Sequence, residues 1–554
     1  MDPPLIEPSG LAVTTREALL ALLAVIVITA AVWLWSRLQL LWTFKQIGIN
    51  GPTPSFIYGN MTEVWESKTP WVTLDKWYHK YPGKVYGCFP MGIRPILVVG
   101  DLDIIKDILV KHFENFRNRP PLGPPRGEPG ASSLTSLRGN RWKRVRNVIS
   151  PTFTTKKIRE MSKCMNAAAS TFISVLDQRA AESTEFDIYA MFQALTLDVI
   201  AQAAFALSVE SQTNPEDTLL KVCRALFKSF FSPTMKMLLL FPEFTGVLGW
   251  AGKFLRARSG AAEQEFYVIT HMRKVYQERL KWPEIRGQDM MQLIIDASMN
   301  KPQPPQLPVQ IVPPFPHLQS QQNGHLPTNR KGNGDEIASF QGKYLTENEL
   351  VANCFVFLLA GYETTANALA FSTYLLAKHP EVQERLYADI MLAMGEQEEL
   401  CFEDSSMKLP YLEAVIKESL RMFPPITGFV MRECKESCVI KNISIPEGMA
   451  ILIPVWSLHH DPEYWPEPHL FNPDRFMGEN AANIPQMAFM AFGDGPRNCI
   501  GMSFAMMEIR ITIVRMLQKY QLLPGKNSEG PLELESPFVT MNPKNGVNVQ
   551  LKRR

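Results

Sequence analysis

The residues best suited to chemistry lie near the C-terminal end, in Phe492-Gly-Asp-Gly495-Pro-Arg497-Asn-Cys499-Ile-Gly501, directly ahead of the helix-forming run SFAMMEIRITIVRMLQKY. A free cysteine is mostly a neutral thiol at neutral pH. On a tight loop before a helix N-terminus, its sulfur meets backbone N–H groups and the positive end of the helix dipole, and both favour the thiolate. Iron in haem accepts such a thiolate as an axial ligand, which pushes electron density toward the opposite face and favours O–O cleavage. Gly495 and Gly501 would let the loop pass close to the macrocycle. Phe492 would shield the sulfur from water, and Arg497 would pair with a propionate. The alternative is a surface loop with a chance cysteine.

FGDGPRNCIG resembles the cysteine-ligand signature FxxGxRxCxG of the cytochrome P450 superfamily of haem-thiolate monooxygenases. With frequencies of roughly 5% at each of five fixed positions, a chance match in this chain is on the order of one in ten thousand. Three further motifs stand upstream in the family's order, so the resemblance spans Arg138 to Gly501. Lys417-Glu418-Ser-Leu-Arg421 is similar to the ExxR helix, and Phe471-Asn-Pro473-Asp-Arg475-Phe476 to the FxPxRF segment. The resemblance implies a buried ion network of Glu418, Arg421 and Arg475. It would be structural, since a buried charge is costly unless paired.

Arg138-Gly-Asn-Arg-Trp142-Lys-Arg-Val-Arg146 resembles the family's WxxxR helix. Trp142 and Arg146, four apart, share a face and would reach haem propionates. Lys143 and Arg144 then point elsewhere, as a solvated face or as a docking surface for the family's acidic flavoprotein donor. Arg119 and Arg432 are further propionate candidates by the same resemblance. Ala360-Gly361-Tyr-Glu363-Thr364-Thr365 looks like the oxygen-activation motif. Small residues at 360 and 361 would let their helix pass close over the porphyrin. The Thr364 hydroxyl can bond back to the carbonyl four residues earlier, opening the helix where dioxygen must sit. Thr364 would hold a water or the oxygen and Glu363 would help deliver protons. The plainer reading of a mid-helix threonine is back-bonding alone.

These residues need a frame, and the resemblance implies one: a mainly α fold with a small β-sheet region, the cytochrome P450 fold, preceded by one N-terminal transmembrane helix. Ala18 to Ser36 is free of charge, and 19 residues at helical rise approach the thickness of a bilayer core; the alternative, a cleaved signal peptide, fits less well because the run exceeds a typical h-region and shows no obvious small-residue cleavage site. Asp2, Glu7, Arg16 and Glu17 precede the run and Arg37 and Lys45 follow it, so the body should face the cytosol from a single-pass anchor in the endoplasmic reticulum membrane. The sequons at Asn60 and Asn442 would then be accidental. Residues 1–45 form the anchor and its flank, and 46–554 the haem-thiolate domain.

Within that domain, Gly48 to Asn60 reads as a stiff linker, KVYGCF and PILVVG as a hairpin, and Pro120 to Gly130 as a loop. The apolar segment Ser229 to Leu255 suits either core helix or a surface dipping into the membrane. Residues 301–343 hold eight prolines between Pro302 and Pro327, a composition that predicts a disordered insertion. Thr346-Glu-Asn-Glu349 is a capping-box pattern that predicts a long, buried helix to about Lys378. Eight scattered cysteines suggest reduced thiols; the closest pair, Cys434 and Cys438, lacks the second pair a structural zinc site needs.

The formal charge of +2 gives no case for a nucleic-acid partner. AGYETT, WKRVRNVISPTF and FGDGPRNCIGM look closest to the group holding the 3A-type microsomal enzymes and thromboxane synthase. The resemblance implies haem b (iron protoporphyrin IX), an NADPH-dependent flavoprotein reductase with cytochrome b5 as a further donor, and a lipophilic substrate: xenobiotic, steroid or fatty-acid-like. Monooxygenation is the first reading. A thromboxane-synthase-like isomerase, acting on a prostaglandin endoperoxide without O2 or reductase, is the second, although those synthases have isoleucine in place of Thr364. A non-catalytic haem- or sterol-binding protein is the third.

Overall fold

The computed structural model describes residues 15–554 apart from 67–68, 122–126, 183, 230–232, 242–259, 283, 285, 288, 300–343, 398, 402–407 and 537–539. The expected insertion at 301–343, the middle of the 120–130 loop and most of the second half of the apolar segment lie outside the described residues.

Helices carry the core. The longest interior one, Glu347–Lys378, starts at a complete capping box: the Thr346 hydroxyl accepts from Glu349 N at 3.2 Å, and Glu349 Oε2 accepts from Thr346 N at 3.0 Å. It ends just before Pro380, which cannot continue it. This central helix lies against Ile188–Phe205, with Thr155–Glu182 and Met502–Lys519 completing one continuous apolar core. Glu349 has a second use. Its Oε1 accepts from Arg141 at 2.8 Å and Arg144 at 2.5 Å, tying the helix Gly139–Ile149 to the start of the central one.

Among the described residues, four small sheets flank the helices. Strands β1 (Val85–Cys88) and β2 (Ile96–Val99) form the expected antiparallel hairpin. Further on come β3 (Phe186–Asp187), β4 (Met431–Glu433), β5 (Cys438–Ile440), β6 (Ile443–Ile445) and β7 (Ala450–Leu452). The largest sheet has the order β1-β2-β7-β4, with β2 and β7 parallel. Strands β5 and β6 pair antiparallel across Lys441 and Asn442, both at positive φ (44° and 66°), the backbone of a tight two-residue hairpin turn.

Three helices among the described residues are long and apolar enough to cross a membrane. Two, Ile188–Phe205 and the central helix, are packed in the interior; the third, Thr15–Gln46, is exposed along its apolar length. This anchor helix runs ten residues beyond the apolar run that ends at Ser36. Arg37, expected as a free flank charge, is instead fully buried. Its guanidinium donates to Phe56 O (3.0 Å), Ile57 O (2.8 Å) and Leu240 O (2.9 Å) among the rings of Trp33, Phe56 and Phe241. The linker and the helix Pro233–Leu240 are thereby clamped to the base of the anchor. Asn60 is also buried, donating to Thr53 O at 3.2 Å and accepting from Phe89 N at 3.0 Å, so its sequon is closed by the fold. Asn442 is exposed.

Candidate active site

The Cys499 loop is wound by three short backbone bonds: Gly493 N to Met490 O (2.9 Å), Cys499 N to Phe492 O (2.9 Å) and Asn498 N to Gly495 O (3.0 Å). Gly493 and Gly495 supply the left-handed angles (φ 67° and 72°) that the winding requires. At Gly495 a Cβ would also fall on the Leu109 carbonyl. Gly501 differs: its φ is −88°, and a Cβ there would meet no protein atom nearer than the Phe153 ring at 4.0 Å. Its role is not one of backbone angle. Phe492 is half-buried against the core.

Cys499 sits deep in the fold, yet its side chain borders open space. Burial raises the thiol pKa, while the Gly501 N–H and then the guanidinium groups of Arg146 and Arg119 pull it down. The loop thus has the fields to hold a thiolate only if something else compensates desolvation, as a metal ion does.

Arg119, Arg146, Arg432 and Arg497 converge on this loop. Arg497 donates to Leu137 O at 2.7 Å and stacks its guanidinium over Trp142 at 4.3 Å. Trp142 thus supports Arg497 from beneath. Arg146 donates to Asn498 Oδ1 at 3.1 Å, Arg119 lies over the Phe429 ring at 4.3 Å, and the Arg432 guanidinium bonds, among the described residues, only its neighbour's carbonyl, Met431 O, at 2.8 Å. Burial first, and mutual repulsion second, lower all but Arg146 strongly: Arg119 to about 10, Arg432 to about 9 and Arg497 to about 8. Arg146 is lowered by burial alone. No carboxylate pairs with any of the four among the described residues, and the buried Nε of Arg119, Arg432 and Arg497 has no acceptor. Four cations gathered without an anion are costly, so the cluster suits a bound dianion.

On the central helix, Thr364 Oγ1 donates to Ala360 O at 2.6 Å. Ala360 borders open space although Leu359 and Tyr362 beside it are buried. Gly361 faces another way: a Cβ would press on Ile200 Cδ1 at 2.9 Å, so its missing side chain admits the neighbouring helix and not a porphyrin. Glu363 also turns from the Ala360 face. Buried, it accepts from Tyr189 Oη (2.7 Å), Gln193 Nε2 (3.2 Å) and Asn542 Nδ2 (2.6 Å). Burial raises its pKa against the pull of those three donors. Phe153, beside Gly501, meets Phe357 of the central helix edge to face at 5.5 Å, linking the thiol loop to that helix.

The Glu418 network lies behind the loop. Arg421 grips Glu418 with two bonds (Nε to Oε2 2.7 Å, Nη2 to Oε1 2.9 Å), and Arg475 Nε reaches Oε1 at 3.3 Å. Asn472 N adds a donor at 3.0 Å, and Arg421 Nη1 donates to His459 O at 2.7 Å. His459 in turn accepts from Met490 N at 2.8 Å, which carries the network to the loop's first turn.

Sequence reasoning missed Gly493, Asn498, His459 and the three partners of Glu363. Gly493 had a signal, a second glycine two residues before Gly495; Tyr189 and Asn542 had none, being some 180 residues from Glu363 in opposite directions. Arg144 pairs with Glu349 and Tyr344 O, while Lys143 stands exposed on the same helix.

A thiol in a field of cations, four guanidiniums lacking an anion and an alanine facing open space fit a planar dicarboxylate whose metal accepts sulfur, and haem b is such a group. The family model described as Cytochrome P450 matches residues 49–308 and 329–549. Cytochrome P450 3A6 of Oryctolagus cuniculus is 33% identical over 497 residues, 89% of both chains. Cytochrome P450 3A31 of Mesocricetus auratus is 32% identical over 492 residues, covering 89% of this chain and 88% of its own. Thromboxane-A synthase of Mus musculus is 32% identical over 559 residues, 99% of this chain and 98% of its own.

Proposed function

The chain belongs to the cytochrome P450 family, whose members bind haem b, and from that premise we propose that it is a membrane-anchored monooxygenase acting on a lipophilic substrate with NADPH electrons from a flavoprotein reductase. When bound, haem supplies the iron at which dioxygen is reduced and cleaved. Cys499 would be its sulfur ligand, with Phe492 and the Gly495 turn holding the loop closed behind it. Arg119, Arg146, Arg432 and Arg497, the last braced by Trp142, would hold the propionates.

The observation that carries monooxygenation over isomerisation is the Thr364 hydroxyl, bonded to the Ala360 carbonyl on the part of the central helix that borders open space. A hydroxyl there can accept from a water and pass a proton on; rearranging a peroxide that already exists needs no such group. Glu363 serves as a proton reservoir: burial raises its carboxyl, and Tyr189, Gln193 and Asn542 fix its position. Electrons would arrive on the face carrying Lys143, from the reductase or cytochrome b5. The exposed anchor helix supports a single-pass setting in the endoplasmic reticulum membrane with the body in the cytosol.

Purified protein and reductase, given NADPH and O2 with steroid, fatty-acid and drug-like substrates, should yield oxygenated product. Anaerobic conversion of a prostaglandin endoperoxide with no NADPH-dependent product would sink the proposal in favour of the isomerase. The reduced protein with CO should show the strongly red-shifted Soret band of thiolate-ligated haem, and Cys499→Ala should abolish it.

A further inference from the structure

We propose that Cys434 and Cys438 are a reversible thiol-oxidation site, closing to a disulfide when the protein meets hydrogen peroxide. Their Sγ atoms stand 4.0 Å apart. Bond formation needs a further approach of about 2 Å.

The fold holds the pair in place. Cys434 follows β4 and is buried, its N–H donating to Met449 O at 3.0 Å and its carbonyl accepting from Gly448 N at 2.8 Å. Cys438 opens β5 and is partly exposed. Between them the loop is pinned by Asn115, whose side chain accepts from Glu436 N and donates to Glu436 O, both at 2.8 Å, while its carbonyl accepts from Lys435 N at 2.8 Å. The turn thus cannot swing the sulfurs apart without breaking bonds to a third segment. Burial and the neighbouring sulfur raise Cys434 to about 12, so it rests as a thiol, and the accessible Cys438 meets the oxidant first.

The chemistry balances with hydrogen peroxide as the only oxidant. Cys438 sulfur attacks one peroxide oxygen, forming S–O and breaking O–O, and the departing hydroxide takes the thiol proton to leave as water. Cys434 sulfur then attacks Cys438 sulfur, forming S–S and breaking S–O, with its own proton going to the second hydroxide. Two thiols are oxidised by two electrons and one peroxide is reduced to two waters. A small dithiol reverses the step.

The holoprotein should be treated with graded hydrogen peroxide, quenched, alkylated in denaturant and digested with trypsin without reduction. The expected result is loss of two thiols relative to the untreated holoprotein and a bridged pair of peptides, Glu433–Lys435 with Glu436–Lys441, both reversed by dithiothreitol. Cys434→Ser should stop at a Cys438 sulfenic acid that dimedone captures, and Cys438→Ser should leave Cys434 unmodified. An unchanged wild-type thiol count, a bridge to another cysteine, or Cys438 oxidised to higher acids with no bridge would each overturn the proposal. The wild-type protein alone decides it, whatever the variants do to folding.

Discussion

Replacing Arg432 with methionine separates an anion-binding arginine from one that merely packs, because the two roles predict opposite signs in two forms of the protein. Arg432 is 2% exposed and, among the described residues, its guanidinium bonds only Met431 O and its Nε has no acceptor. Burial, and then Arg119, lower its pKa from 12.5 to about 9. A base whose folded pKa is lowered opposes folding at every pH below about 9, and the penalty fades as pH rises toward the unfolded value. At about 1.4 kcal/mol per unit, the ceiling on that penalty at neutral pH is about 5 kcal/mol. Methionine keeps the apolar stem. Removing the charge forfeits about 1 kcal/mol for the carbonyl bond, so the haem-free variant should gain about 1–4 kcal/mol in urea unfolding. The haem-loaded form should move the other way. Losing one charged bond to a propionate costs about 1.5–3 kcal/mol, or roughly 10- to 150-fold in haem affinity, read from Soret titration. A haem-free variant less stable than wild type by more than about 1 kcal/mol, or an unchanged haem affinity, would refute the assignment.

Glu418→Gln leaves Arg421 charged and buried, and should cost about 3–5 kcal/mol in denaturant unfolding; a loss below about 1 kcal/mol would show the network to be dispensable. Thr364→Ala should leave NADPH consumption in place while product per NADPH falls by at least about 10-fold, the remainder appearing as peroxide or water. Unchanged coupling would remove the hydroxyl from the mechanism. Asn442 stands exposed in its hairpin turn, where a lumenal body would carry a glycan; with the body in the cytosol, protein made in microsomes should show no mobility shift on endoglycosidase treatment, and a shift would place the body in the lumen.

Local order was legible where a few neighbouring residues decide it. The capping box at Thr346 and Glu349, the β1–β2 hairpin and the ends of the central helix each depend on contacts within a few positions, and the alphabet of caps and turns reads them directly. The family's motifs likewise placed Cys499, Glu418 and Thr364 on their elements. What stayed hidden was decided across the fold. Nothing in AGYETT tells that Gly361 admits Ile200 while Ala360 faces space, because one helix offers several faces and only its neighbours choose among them. The ion pair of Arg144 stayed hidden because Glu349 lies some 200 residues away, and the burial of Arg37 because its acceptors are main-chain carbonyls, which sequence does not distinguish.

The Arg37 clamp changes where this protein can be cut. Hydropathy puts the natural place for a soluble truncation just after Ser36, and composition puts it near residue 45. A cut at the second point would strip three carbonyls, on Phe56, Ile57 and Leu240, of the one cation that satisfies them, and would open the aromatic cage around it. Such a fragment would lose a keystone of its base along with its tether. A chain that begins at Ser36 keeps the keystone and sheds only the span. In the intact protein, the same bracket, with Phe44 buried against Phe89 at 5.3 Å, makes the base of the anchor a strut and not a leash.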